Sequence, residues 1–141
     1  MSLAAKLTSW EPYALAILRI VVALLFLTHA IVKLTGFPPG AMPGSQPLVS
    51  LLGAAMVIEL ITGTLVLVGW FTRTSAFVAS GEMAVAYWTY HIQMNWHPLL
   101  NGGEPAILFC FIFLYLVFSG PGALSIDGRA THIEVTDAQR L

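Results

Sequence analysis

A single cysteine, Cys110, and a charged fraction of only 9% exclude more than any motif in the chain does. With one thiol there is no intramolecular disulfide and no C-x-x-C relay, and its place inside an apolar run reads as packing. The net charge is −1 and no run of basic residues occurs, so nothing here attracts nucleic acid or anionic lipid headgroups. Soluble domains carry about 25% charged residues, and this chain is 57% apolar, so an ordinary soluble domain is excluded as well. No nucleotide-binding motif is present. Any electrons the protein handles must therefore come from a partner or a bound cofactor.

Four apolar stretches fill most of the 141 residues: roughly 12–34, 48–71, 74–96 and 104–122. Each is near the ~20 residues that cross about 30 Å of hydrocarbon. The fold class is an all-α membrane protein, a four-transmembrane-helix antiparallel bundle over 12–122, with a short cytoplasmic lead at 1–11 and an exposed cytoplasmic tail at 123–141. Lys6 ahead of an apolar run resembles a signal peptide, but the run is long, contains Arg19 and lacks an A-x-A exit, so it reads as a retained first helix. The Pro- and Gly-dense TGFPPGAMPGSQP ends that helix, GWFTRTS forces a hairpin between the second and third, and Pro98 stops the third. Ala76, Ser80 and Ala84 give the third helix a small-residue stripe for close approach. Lys6, Arg73, Arg129 and Arg140 all fall on the side of the termini, which the positive-inside rule places in the cytoplasm. The expected location is the inner membrane.

Arg19, His29 and Lys33 lie in LAILRIVVALLFLTHAIVKLTGF (15–37), where a charge at bilayer depth costs at least about 2.5–3.5 kcal/mol. At about 100° per residue the three look into one sector of the first helix. Three acids, Glu59, Glu82 and Glu104, lie in or at the mouth of the apolar segments. Arg19, Glu59 and Glu82 are expected to form a structural charge network, a buried ion pair that locks the register of the bundle; the alternative is that the glutamate Arg19 does not neutralise holds a proton for transfer. Arginine itself stays protonated and is a poor carrier.

The second set is the candidate ligand site. His29, Lys33, His91 and Glu104 share one depth near the outer face, beside Asn101-Gly102-Gly103-Glu104, where Asn101 is placed to cap the next helix, Glu104 to reach back to it, and the glycines to leave amides exposed. A quinone needs a donor at its carbonyl and a nearby group for proton exchange; His29 or His91 supplies the first, Glu104 with Lys33 the second. The plainer account makes the histidines interhelical donors and Lys33 a snorkelling side chain. Two histidines at matched depth also fit axial haem ligation, a weaker match because such coincidences are common. His91, His97 and Glu104 lack metal-ligand spacing, so no metal is expected. Phe109, Phe111, Phe113, Tyr115 and Phe118 read as packing. No residue is assigned a catalytic role, and whether the protein is an enzyme is left open.

Four segments carry a resemblance: LRI with HAIVKLTGFP (18–38), the Glu59 helix ending in LVGWFTR (67–73), AYW with HIQMNWHPLLNGGE (86–104), and FLYL followed by GPGALSID (113–127). The chain resembles a DoxX family membrane protein in these places, the third being the most specific. Ala30 departs from the family's frequent Gly after the His. The resemblance implies four membrane helices and, through relatives in quinone-reducing thiosulfate oxidoreductases, a link to membrane redox complexes. The resulting expectation is a protein of the lipid bilayer that binds a quinone or similar lipophilic molecule in an outward-facing polar pocket and serves an oxidoreductase partner subunit. The alternatives are a non-catalytic anchor for a soluble oxidoreductase and a binder of lipid or a hydrophobic metabolite. A homo-oligomer is compatible with both.

Overall fold

The computed structural model describes residues 2–129. The charges expected on the tail at Glu134, Asp137 and Arg140 lie outside the described residues. Among those described the chain is all-helical, without a strand. The helices are α1 (Leu3–Thr35), α2 (Leu51–Val68), α3 (Thr72–Ala86), α4 (Ile92–Met94), α5 (Pro98–Asn101) and α6 (Glu104–Ser119). A π-helical turn, Tyr87–His91, joins α3 to α4 without a break in the rod.

Two helices, α1 and α2, are long and apolar enough to cross a membrane; α6 is apolar but has 16 residues. The first helix is longer than its apolar run. It begins at Leu3 and takes in the polar lead, because Ser2 caps it by accepting from the Ala5 N–H at 3.2 Å and residues 3–11 contain no helix breaker. Its 33 residues make it about 50 Å long, against about 30 Å of hydrocarbon.

The helices pack in a ring, α1 on α2, α2 on α3, α3 on α6, and α6 back on α1. Side chains at helical spacing explain the first contact: Ala16, Arg19, Ala23, Phe26, Ala30 and Lys33 form one buried stripe of α1. It meets α2 at Gly63, where a Cβ would come within 2.9 Å of Leu27 Cδ2, so a larger residue there would have to push the Leu27 side chain aside. Inside the ring Phe26 lies edge-on to Phe113 at 4.8 Å and Phe109 stacks on Phe113 at 6.0 Å, with Val66, Ala76, Ala79, Met83 and Leu116 around them. The small stripe of α3 works as the sequence predicts at Ser80, which donates to the Cys110 carbonyl of α6 at 2.8 Å.

The segment after α6 differs from expectation. Residues 120–129 fold back over the bundle end instead of standing free: Ala123 N–H donates to Pro12 O, Asp127 N–H to Gly69 O, and Ser125 is buried. Two chain reversals, the one between α2 and α3 and the one after α6, therefore meet at one end beside Pro12 of α1. Gly69 is what makes room. It ends α2 with φ +70°, and a Cβ there would lie 2.5 Å from Ser125 Cβ.

Candidate functional site

Arg19 is fully buried, and it does not meet an acid of the spans. Its guanidinium instead donates to five backbone carbonyls: Val66 and Leu67 at 2.7 and 2.5 Å, Pro121 at 2.8 Å, Leu124 at 2.9 Å and Ala123 at 3.4 Å. The expected Arg19–Glu59–Glu82 network is thus corrected. A planar fork of five donors matches the orphan carbonyls that end α2 and turn the chain after α6 better than it matches one carboxylate. Two more side chains do similar work at this end. Arg73 donates to Val117 and Phe118 at 2.5 and 2.7 Å, closing α6, and Asp127 accepts from the Phe71 and Thr72 amides at 3.0 and 2.9 Å, opening α3. Asp127 holds Phe71 at φ 48°, a left-handed conformation rare for an aromatic residue. Sequence reasoning left Asp127 in an exposed tail, although its place in GPGALSID was visible.

The acids of the spans face Lys33. In the last turn of α1, Lys33 forms a buried ion pair with Glu59 Oε1 of α2. Lys33 is 8% exposed and Glu59 wholly buried. The register follows from the stripe: Lys33 is two turns beyond Phe26, and Glu59 lies on the same α2 face as Met56, Thr62, Gly63 and Val66. Glu82 of α3 stands within electrostatic reach of both Glu59 and Lys33, and His29 within reach of Glu59. Lys33 and Glu59 are the bonded pair here, with Glu82 and His29 within electrostatic reach of it and not bonded to it.

Hydrogen bonding in that group is incomplete. Glu59 Oε2 and Glu82 Oε2 are both buried without a partner. Thr72 Oγ1, at the start of α3, is the third such atom among the described residues, and a hydroxyl is far cheaper to leave unpaired than a carboxylate. His29 lies at the exposed edge of the group, off the buried stripe. Its Nδ1 is 3.1 Å from Leu25 O, and its ring meets Phe109 edge-on at 5.5 Å. A carbonyl only accepts, so Nδ1 carries the hydrogen, and in the neutral ring Nε2 presents a lone pair.

The other predicted ligand residues go elsewhere. His91 Nδ1 lies 3.0 Å from Asn101 O, and its ring stacks on Tyr87 at 6.3 Å. Asn101 is buried and knots the loop, Nδ2 donating to Asn95 O at 2.8 Å and Oδ1 accepting from Gly103 N–H at 2.7 Å. It does not cap α6, whose N-cap is Gly103 with no side-chain bond, so the capping box with Glu104 is corrected. The spacing is one residue off: Asn101 closes α5, and its reach ends at Gly103. Gly103 is buried against the Tyr87 ring, which a Cβ would approach to 2.7 Å, while Gly102 and Glu104 are exposed. The expected pocket is therefore split. Lys33 and His29 belong with Glu59 and Glu82; His91, Asn101, Gly102 and Gly103 brace the loop before α6, and Glu104 opens that helix. Among the described residues no group of three or more His, Cys, Asp and Glu is arranged to hold a metal ion.

Apolar helices long enough to span, with ionic groups turned inward between them, define an all-helical membrane protein. The DoxX family model matches residues 14–92, taking in the first two motifs and the opening of the third, and the chain belongs to the DoxX family. It is 43% identical over 129 residues to an uncharacterized protein of Haemophilus influenzae, an alignment covering 88% of this chain and 96% of that one. Two Escherichia coli proteins are also similar: inner membrane protein YphA, 29% identical over 134 residues (84% of this chain, 91% of the relative), and inner membrane protein YqjF, 26% identical over 133 residues (83% and 92%). No solved structure matches.

Proposed function

We propose that this protein is a four-span inner-membrane protein, both termini cytoplasmic, that binds a quinone or similar lipophilic molecule at His29, Lys33, Glu59 and Glu82 and serves a membrane redox complex. The observation that carries the reading is the pair of buried carboxyl oxygens without partners, Glu59 Oε2 and Glu82 Oε2. An unpaired buried carboxylate oxygen is expensive, and a ligand's polar head is one way to satisfy it. The surroundings suit such a ligand: Phe26, Phe109 and Phe113 supply an apolar wall, and exposed His29 supplies an entrance from the lipid. These residues fit a quinone-type head; the family resemblance supplies the redox context. Four spans follow if the rod 72–94 and α6 cross beside α1 and α2, which the antiparallel contacts support. Basic Lys6 and Arg73 at the end shared by the termini support the orientation, and the relatives named inner membrane proteins support the location.

The test is extraction of the purified protein in lipid nanodiscs and identification of bound quinone by mass spectrometry. Quinone is expected at near one per chain in the parent and lost in His29→Ala and Glu82→Gln, both folded by circular dichroism. A preparation free of quinone, with both variants equal to the parent in stability, removes the reading. It then favours the second one, a non-catalytic anchor for an oxidoreductase partner, which the purely structural use of His91, Asn101 and Gly103 already supports.

A further inference from the structure

The first helix carries a second periodic stripe, on the side away from the bundle. Leu3, Leu7, Trp10, Ala14, Ile17 and Val21 are all exposed and follow one another at alternating spacings of four and three. That is the a/d spacing of a coiled coil, with Leu7, Ala14 and Val21 at a and Leu3, Trp10 and Ile17 at d. In the same frame the buried residues Ala16, Arg19, Ala23, Phe26, Ala30 and Lys33 fall at c and f, so the two stripes lie back to back and keep one period.

Lipid accounts for only part of the outer stripe. The helix is about 50 Å long against about 30 Å of hydrocarbon, and its first residues run on past Pro12, where the returning segment bonds to it through Ala123 N–H. Residues 3–11 are exposed on every face, and Leu3, Leu7 and Trp10 among them are 64–73% exposed. Proline has no N–H to give Thr8 O, so this extension is a short helix joined through a missing bond, marginal in water by itself. Its two charged side chains are Lys6 and Glu11. A helix that lies on lipid headgroups is rich in Lys and Arg, whereas this one is balanced. Lys6 takes a g position and Glu11 the following e position, which meet across the seam of two parallel helices; within one helix, residues five apart point to different sides.

We propose that two copies of this protein pair in the membrane along the outer stripe of α1, parallel and in register, with Lys6 of each copy against Glu11 of the other. The charges single out a second copy because they complement themselves: one two-fold pairing makes both ion pairs. Two chains inserted with the same topology are parallel of necessity. The inference is independent of the ligand site.

The experiment uses the full-length protein with Cys110→Ser, which leaves no native thiol. Single cysteines are placed at Leu7→Cys, on the seam, and at Thr8→Cys, off it, and oxidised in native membranes. Leu7→Cys is expected to give about fivefold or more disulfide-linked dimer, because only seam positions bring two chains within bonding distance. Dimer dissociation is then read by energy transfer between labelled copies in proteoliposomes over a range of dilution. Lys6→Glu sets like charges together and is expected to weaken the dimer by about tenfold, and Lys6→Glu with Glu11→Lys to restore it to within about threefold of the parent. Equal cross-linking at Leu7→Cys and Thr8→Cys, or a double variant no stronger than the single, overturns the proposal. A monomer at every dilution also overturns it, and if Leu7→Cys in that monomer is shielded from a water-soluble maleimide, the stripe belongs to lipid.

Discussion

The two ends of the bundle spend their charges differently. Where the termini lie, Arg19, Arg73 and Asp127 each bond to backbone: seven carbonyls and two amides at the ends of α2, α3 and α6 are satisfied by three side chains. Toward the other end, Lys33 pairs with Glu59, Glu82 lies within electrostatic reach of both, and two carboxyl oxygens are left over. Charges that saturate helix ends are structural by construction, because the polar groups they meet exist in any helix. Charges that meet only other side chains, incompletely, have been placed there by sequence alone. That contrast is why the site is assigned to the second group.

The contrast is broken or sharpened first by Arg19. Arg19→Leu leaves five carbonyls without a donor in a buried corner and is expected to destabilise by about 3–5 kcal/mol, read as thermal unfolding in detergent. Arg19→Lys is expected to recover less than half, since an ammonium has three donors and no planar fork. The same loss from Lys as from Leu supports the backbone-capping role, and full rescue by Lys refutes it.

Next comes the pair. Lys33→Leu strands Glu59 in the bundle and is expected to cost about 3 kcal/mol, while Lys33→Leu combined with Glu59→Leu is expected to recover most of that. A double-mutant cycle between Lys33 and Glu59 should therefore show a coupling above about 1.5 kcal/mol, whereas the Arg19–Glu59 cycle should be additive within about 0.5 kcal/mol. Coupling in the second cycle and none in the first would exchange the roles of the two bases.

That exchange is the error sequence reasoning makes here, and its cause is physical. Hydropathy and periodicity locate the helices and turn Arg19 and Lys33 onto one buried stripe, because both depend only on spacing along the chain. Which acid each base meets depends on the relative sliding of helices, and a shift of one turn, about 5.4 Å, decides it. The arginine's true partners were beyond reach for a second reason. Backbone carbonyls have no signature in a sequence, and the tail that supplies two of them looks like polar, exposed chain until Asp127 is seen to anchor it. Asn101 shows the same limit on a smaller scale. Its type signals a turn, but whether it caps the next helix or closes the previous one turns on a single residue of spacing.

Asp127 gives the third test. Asp127→Asn keeps one amide-accepting oxygen and loses the charge at the N-terminus of α3, with an expected cost of about 1–2 kcal/mol. The loss should appear as earlier proteolysis near Gly69 as well as a lower Tm, since the anchor of the returning segment and the strained Phe71 turn depend on the same carboxylate. A lower Tm without earlier cleavage there would mean that Arg19 and the backbone bonds to Pro12 and Gly69 hold the segment without the carboxylate.

The smallest effect belongs to a residue at the edge of neither group. Glu104 is the first residue of α6 and exposed, with its carboxylate near the N-terminal amides, where charge is worth about 0.3–1 kcal/mol. Glu104→Gln is thus expected to lower stability by no more than about 0.5 kcal/mol and to leave bound quinone unchanged. Because the sequence places Glu104 in the ligand site and the structure places it outside, this variant decides between the two arrangements. Loss of ligand in Glu104→Gln with the fold intact would mean that the loop before α6 closes on the site in the membrane, and that His91, which is bonded to that loop through Asn101 O, belongs with His29 after all.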